Sequence, residues 1–383
     1  MTFTCDGVDE IFATSTDFTV GLEEEFAIVD PATLDLVPRY EDLHAAAQDD
    51  EVLQVAVAGE LISSEIEIRS GRGETLADAV ASQRDARVRL FALARAHDLT
   101  LASTGTHPWA DYREQPNIDT EHYRRVVEGL QYPARRNNTF SLHVHVGVQG
   151  ADRAIRVCDR LRSVLPELLA LSASSPFLDA RNSGLHSARS QSFTKSFPRC
   201  GIPDAYGSWA EYRRYIELLV ATNSIVEYTQ VWWSVRPHFA FGTVEVRICD
   251  AQSTAAEGDA LAALIVACVA QAARDEDEGV ALPDHSRRLL EENFWRAIRF
   301  GQDERMIDLD SLREVPTKAA IERLLTWTAP VRSELGLGEP ELPDVNGAQR
   351  QRRALQEGAS MQEVFAQTVQ ETQQTYGQEA TAP

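Results

Sequence analysis

The sequence predicts an α+β fold, and three observations carry that expectation. Four segments alternate polar and apolar residues with the period of a strand, and each has a chemically specific polar face. Between and after them run longer stretches with helical spacing of apolar residues. No Pro/Gly/Ser-rich linker and no internal repeat divides the chain, so a single catalytic domain over residues 1–383 is expected.

The first strand is TVGLEEEFAIVD at 19–30. Alternation puts Glu23, Glu25 and Ala27 on one face and Leu22, Glu24 and Phe26 on the other. Carboxylates crowded on one face repel unless a cation or basic group lies between them. EVLQVAVAGELISSEIEIRS at 51–70 reads as two strands or one bent ladder, with Ser63, Glu65 and Glu67 opposed to Ile62, Ser64, Ile66 and Ile68. A helix follows, capped by Thr75, and leads into LTLASTGTHPW. After a helix over 119–132, TFSLHVHVGV places Ser141, His143, His145 and Gly147 on one face. One long helix is expected over 151–173. The irregular, basic and aromatic segment 174–208 is long enough to suggest a lid or specificity loop. A helix over 209–222 precedes two strands around PHFAFG, the second setting Thr243, Glu245 and Arg247 opposite Val244, Val246 and Ile248. Helices over 254–275, 285–300, 309–323 and 348–374 complete the chain, ending in a fraying TYGQEATAP.

Composition narrows the function. With 43% hydrophobic and 25% charged residues the chain reads as a soluble enzyme, and its net charge of -22 argues against nucleic acid or anionic lipid as partners. The five cysteines lack CxxC spacing, the amino terminus lacks a leader pattern, and the apolar run at 260–270 is too short to cross a bilayer, so a cytoplasmic location is expected. Together the four polar faces contribute Glu23, Glu25, Glu65, Glu67, His143, His145, Glu245 and Arg247. A solvated outer face explains any one of these glutamates, but the recurrence of acids and imidazoles across four strands points to a site for Mg or, with the imidazoles, Mn. Cations there would let an acidic protein hold a triphosphate. The HxH pair also suits zinc, which leaves metal-dependent hydrolysis open. Glu24 and Glu60 read equally as structural or supporting groups. His107 is either a substrate contact or a buried turn histidine. In the long loop, Arg181, Arg189, Lys195 and Arg199 suit phosphate or carboxylate, and Arg236 and Arg247 lie beside the sheet site. Asn293, Trp295 and Arg299 read as a pocket wall or a helix contact. No P-loop, dinucleotide fingerprint or nucleophile elbow occurs.

GLEEEF, SSEIEI, STGTHP, HVHVG, FPRCGIP, FGTVEVRICDAQ and ENFWRAIRFG, in this order over about residues 16–375, resemble the signature segments of the bacterial glutamate–cysteine ligase type 2 family, the YbdK-like carboxylate–amine ligases. The resemblance implies a curved, mainly antiparallel sheet with helices on its outer face, similar to the catalytic domain of glutamine synthetase and to guanido kinases. It implies ATP-dependent joining of L-glutamate to L-cysteine through a γ-glutamyl phosphate, with Mg as cofactor, and a homodimer. By family motif, Glu23, Glu25, Glu67, His143 and Glu245 would contact metal or metal-ATP, with Glu65 and His145 beside them. Arg236 and Arg247, with Glu67, would serve the chemical step; His107, Arg189, Arg199 and Arg236 would contact substrate. Leu185 and His186 depart from the family pattern in the long loop, which puts cysteine as the amine in doubt. The competing functions are a ligase for another amine or carboxylate, a guanidino kinase-like phosphotransferase and a metal or nucleotide sensor.

Overall fold

A computed structural model describes residues 3–378. Its centre is a sheet of seven strands, β1 (Val20–Val29), β2 (Val57–Ala58), β3 (Glu65–Arg69), β4 (Thr100–Ala102), β5 (Ser141–Gly147), β6 (Val235–His238) and β7 (Thr243–Asp250). The order is β6-β7-β5-β1-β3-β2, with β4 paired to the far end of β1, and every pairing is antiparallel. Residues directly opposite on paired strands share a face. The register sets Glu23 between Arg69 and His143, Glu25 beside Glu67, and Glu245 between His145 and Arg236. Sequence-distant polar residues therefore converge.

The opposite face is apolar and covered by helices: α1 (Leu76–Ala96), α2 (Ala151–Leu161), α3 (Leu165–Ser172) and α4 (Ala255–Asp277). Leu142, Val144, Val146, Val244 and Val246 share one core with Val157, Leu161, Leu168, Leu264 and Ile265. Phe26, Ile66 and Ile68 form a second with Leu90, Phe91 and Tyr376. Glu24 falls on this helix side, where Arg87 Nε donates to it at 2.6 Å and Gln83 at 2.9 Å, so its role is structural. Helix α4 is long and apolar enough to cross a membrane, but 83% of its apolar window is buried inside the protein, so the core already satisfies its apolarity.

Several expected boundaries move. The helix expected over 151–173 is two, because Pro166 is tolerated in the first turn of α3 but would break a continuous helix. Pro316 likewise bars a helix over 309–323. The chain instead forms a hairpin, Arg305–Asp308 with Arg313–Pro316, and then the helix Thr317–Glu334. The last expected helix divides into Gly347–Gln356 and Met361–Tyr376, where Gly358 takes a φ of 106° and Ser360 forms a capping box with Glu363. Segment 51–70 begins with a helical turn, Leu53–Ala56, before its two strands.

The 174–208 segment is anchored at its middle. Ser187, Arg189 and Ser190 are buried, and Asp250 accepts hydrogen bonds from Ser174 N, Ser175 Oγ and Ser187 Oγ at 2.9, 2.6 and 2.9 Å. The pairing of β5 with β7 shifts register between Val246 and Cys249, a bulge that re-aims Arg247. Arg189 donates to the carbonyls of Arg247 and Ile248, both at 3.1 Å, and so occupies this bulge with a cation.

Candidate active site

Above the polar face lies a cleft of about 360 Å³. Glu23 sits at its centre, 3.1 Å from His143 Nδ1, 3.4 Å from His145 Nε2 and 3.7 Å from Arg69 Nε. Glu25 accepts the Ser141 backbone N–H at 2.5 Å and lies 3.8 Å from His143 Nε2. Glu245 accepts from Arg236 Nε at 2.6 Å and is also paired with Arg247. Two sets of ligand atoms, Glu23/His143/Glu245 and Glu25/Glu67/His143, each fall within 4.8 Å of one another, and they share His143. Glu65 Oε2 and His145 Nε2 are buried beside these sets without a hydrogen-bond partner among the described residues. Carboxylate oxygens with one or two imidazoles, two of the atoms unsatisfied, are a donor set that fits a hard divalent cation.

The electrostatics are divided. Burial opposes ionisation of Glu23, but the imidazoles of His145 and His143 outweigh it and hold the carboxyl well below its usual range. Burial of Glu245 is likewise outweighed by Arg236 and Arg247. Glu65 and Glu67 are pushed well above the usual range by burial first and then by neighbouring glutamates, Glu25 and Glu60 in one case and Glu23 and Glu60 in the other. Glu60 rises to about 7 through burial and the Glu25 charge. Burial, and then the Arg247 charge, lower His143, which favours the imidazole form that can act as a ligand. The site thus holds excess negative charge that protons or cations must compensate.

Most of the predicted residues meet here. Glu23, Glu25, Glu65, His143, Glu245, Arg189, Arg236 and Arg247 line the cleft, with Glu67 and His145 packed against its members. Others are held elsewhere. His107 is fully buried in its turn, with Nε2 2.8 Å from Leu34 O and Nδ1 accepting from Ala110 N at 3.0 Å. Arg199 stacks on Trp232 and donates to Gln230 O, outside the cleft lining. Lys195 pairs with Glu291, and Arg181 is exposed on a small ribbon. Asn293 and Arg299 bind the carbonyls of Ile307 and Gly184, as helix contacts. Leu185 packs on the main core and His186 is buried 3.3 Å from Asp303, so neither family departure reaches the cleft. The sequence reading left out cleft residues such as Arg69 and His238. Arg69 was accessible to it, since alternation sets it beside Glu65 and Glu67. His238 lines the cleft from β6, and Ser141 Oγ lies 2.8 Å from His143 Nε2. Alternation sets Ser141 on the face of His143 and His238 on that of Arg236, so their face was legible and only the neighbouring strands that complete the cleft were not.

The model of the glutamate–cysteine ligase family 2 (GCS2) matches residues 19–381. The chain belongs to this family. Relatives include proteins of Solibacter usitatus (40% identical, covering 93% of each chain) and Sorangium cellulosum (38%, covering 90% of this chain and 89% of the relative), each provisionally named a glutamate–cysteine ligase 2. Among solved structures, the glutamate–cysteine ligase of Francisella tularensis in complex with AMP superposes with a TM-score of 0.68 at 11% identity, covering 99% of this chain and 91% of that one. A bifunctional glutathione synthetase from Pasteurella multocida gives 0.65 at 15% identity, covering 96% of this chain and 53% of its own. At these identities the two structures establish that the GCS2 chain shares their α+β fold.

Proposed function

We propose that this protein is an ATP-dependent glutamate–cysteine ligase, forming γ-glutamylcysteine, ADP and phosphate. Membership of the GCS2 family supports ATP-dependent carboxylate–amine ligation, and the observation that carries the reading to this site is the pair of ligand sets sharing His143 beside Arg236 and Arg247. Glu23, Glu25, Glu67, His143 and Glu245 would hold magnesium, with Glu65 and His145 completing its surroundings; manganese suits the same donors. When bound, the metal neutralises phosphate oxygens that the acidic sheet would otherwise repel.

The glutamate side-chain carboxylate attacks the terminal phosphorus of ATP and ADP leaves; the amine then attacks the acyl carbon, phosphate leaves and the amine loses a proton. The protein's task is to align these groups and exclude water. Arg247, whose Nε has no partner among the described residues, is placed to meet transferring phosphoryl charge or a substrate carboxylate, and Arg189 lines the same wall. The reading carries with it the glutamine synthetase and guanido kinase likeness, a homodimer and a cytoplasmic location, the last suited to five free cysteines.

A second reading keeps the chemistry and changes the amine. Leu61, Val126, Phe193, Phe197 and Trp232 give the cleft an apolar outer wall, which suits a side chain larger than that of cysteine. Both are tested by ADP release with Mg-ATP and L-glutamate across a panel of amines including L-cysteine, with mass spectrometry of products. Cysteine-dependent γ-glutamylcysteine, abolished in Glu25→Gln, is expected. Turnover with another amine alone selects the second reading, and ATP binding without turnover on any amine defeats both.

A further inference from the structure

His186 lies three residues before the cleft arginine Arg189, is 1% exposed and does not itself line the cleft. It sits where the long loop meets the turn that ends the helix Arg287–Phe300 and the start of the helix Gly347–Gln356. Its backbone N–H and that of Ser187 both donate to Ile298 O, at 2.7 and 3.2 Å, and its carbonyl accepts from Ser175 N at 3.1 Å. The residues that follow reach the site. Ser187 Oγ donates to Asp250 at 2.9 Å, and Arg189 donates to the carbonyls of Arg247 and Ile248 at the β7 bulge. The seat of Arg189 is thus tied to that of His186 through three residues of chain.

The two ring nitrogens have different surroundings. Nε2 lies 3.3 Å from Asp303, whose other oxygen accepts from Gln349 Nε2. Nδ1 is buried without a hydrogen-bond partner among the described residues. It is packed against Gly301, which has a φ of 53°, and a Cβ there would come within 2.4 Å of Nδ1 and 2.9 Å of Asn346 Nδ2. Asn346 caps its helix by accepting from Gln349 N at 2.9 Å, and its Nδ2 donates to Ala170 O at 2.8 Å. A donor nitrogen and a glycine therefore crowd Nδ1. The neutral ring with its hydrogen on Nε2, toward Asp303, fits this arrangement, whereas a proton on Nδ1 would be a buried donor with no acceptor. The charged groups around the ring are Asp303 from the turn, Arg299 from the helix before it and Arg352 from the helix after it. Burial first, then Arg352 and more weakly Arg299, lower the imidazole to about 4 against the pull of Asp303.

We propose that His186 is a positioning residue for the cleft and a pH-sensitive clamp: only the uncharged ring fits between the Gly301 turn and the Asn346 cap, so protonation releases residues 186–189 and with them the seat of Arg189 in the Arg247 bulge. The proposal goes beyond the ligase reading and holds whichever amine the cleft takes. Its sign follows from where the proton is refused. A released imidazole takes its proton near the ordinary value of about 6.5, while the clamped ring resists it down to about 4. The clamp is therefore at full strength above that ordinary value and weakens about tenfold for each pH unit below it. Near pH 4, where the clamped ring is protonated too, it weakens no further.

The test is backbone hydrogen–deuterium exchange over residues 186–189 of the full-length protein, corrected for the intrinsic rate at each pH. From about pH 7.5 to about pH 5.5, wild-type protection is expected to fall about tenfold. His186→Gln keeps a donor for Asp303 and cannot gain a proton, so its protection should stay level. A level wild type, or an equal fall in the variant, overturns the proposal. Exchange of the His186 ring C2–H in the wild type adds a measurement that requires no variant to fold: the ring should resist protonation for as long as the segment is protected. Titration of that ring near its ordinary value with backbone protection intact overturns the proposal as well. Absence of ADP release with every amine defeats the ligase reading alone and leaves these outcomes unchanged.

Discussion

Glu65 is a fully buried carboxyl with one oxygen unsatisfied and acids on two sides, a position no stable core would select. Its replacement by glutamine removes the repulsion without changing shape. Glu65→Gln is therefore expected to stabilise the metal-free protein by about 1–2 kcal/mol at pH 8 in urea unfolding while lowering activity, the usual opposition between stability and a strained site. Glu167 is a second carboxyl with an unsatisfied buried oxygen, far from the cleft on α3, and burial raises it from 4.5 to about 7. The sign follows from which state holds the proton. Below about pH 4.3 both folded and unfolded states are protonated and nothing is lost. As pH rises towards 7 the unfolded chain ionises first, so stability falls, and above that range the full penalty applies. Glu167→Gln should flatten this slope and add up to about 3 kcal/mol at pH 8, checked by urea unfolding at several pH values. Residues whose role depends on face were legible in the sequence, as Glu23, Glu25 and Glu245 were, because alternation alone assigns them. His107 was not, because a loop has no period, and only the Ala110 N–H donating to its Nδ1 at 3.0 Å, with the Leu34 carbonyl 2.8 Å from its Nε2, reveals that it holds its own turn against a distant loop.

Elements position the site through register, and register depends on close approaches that only glycine permits. A Cβ on Gly147 would lie 2.1 Å from Thr16 O and 2.4 Å from Thr19 Oγ1, where the chain entering β1 crosses the end of β5. Gly147→Ala should displace that crossing and cost about 1–3 kcal/mol in chemical unfolding. The strands with their polar faces were readable one at a time, and so was the Thr75 cap, where Asp78 completes a capping box. Helix ends were less so. Apolar spacing runs through Pro166 and Pro316 without a break, and only the proline ring's missing N–H and its steric demand divide the pattern. The bulge at Arg247 was invisible too, since an extra residue on one strand is defined only against its partner.

At the scale of the whole molecule, a net charge of -22 and a cluster of buried glutamates impose two kinds of repulsion, and they respond differently to ions. The diffuse kind falls with ionic strength whatever the salt, because screening depends on Debye length and not on ion identity. The local kind is relieved by an ion that fits between Glu23, Glu25, Glu67 and His143. Sodium chloride should therefore raise the melting temperature gradually and without saturation. Magnesium at matched ionic strength should add a saturable increase, reaching about 2.7 kcal/mol when its concentration is a hundred times its Kd. His143 belongs to both ligand sets, so His143→Ala should abolish the magnesium increment while leaving the sodium response intact. Thermal unfolding of both proteins across matched salt series separates the terms. Equal responses to the two salts in the wild type would mean that the sheet's acids are compensated by protons and not by a bound cation.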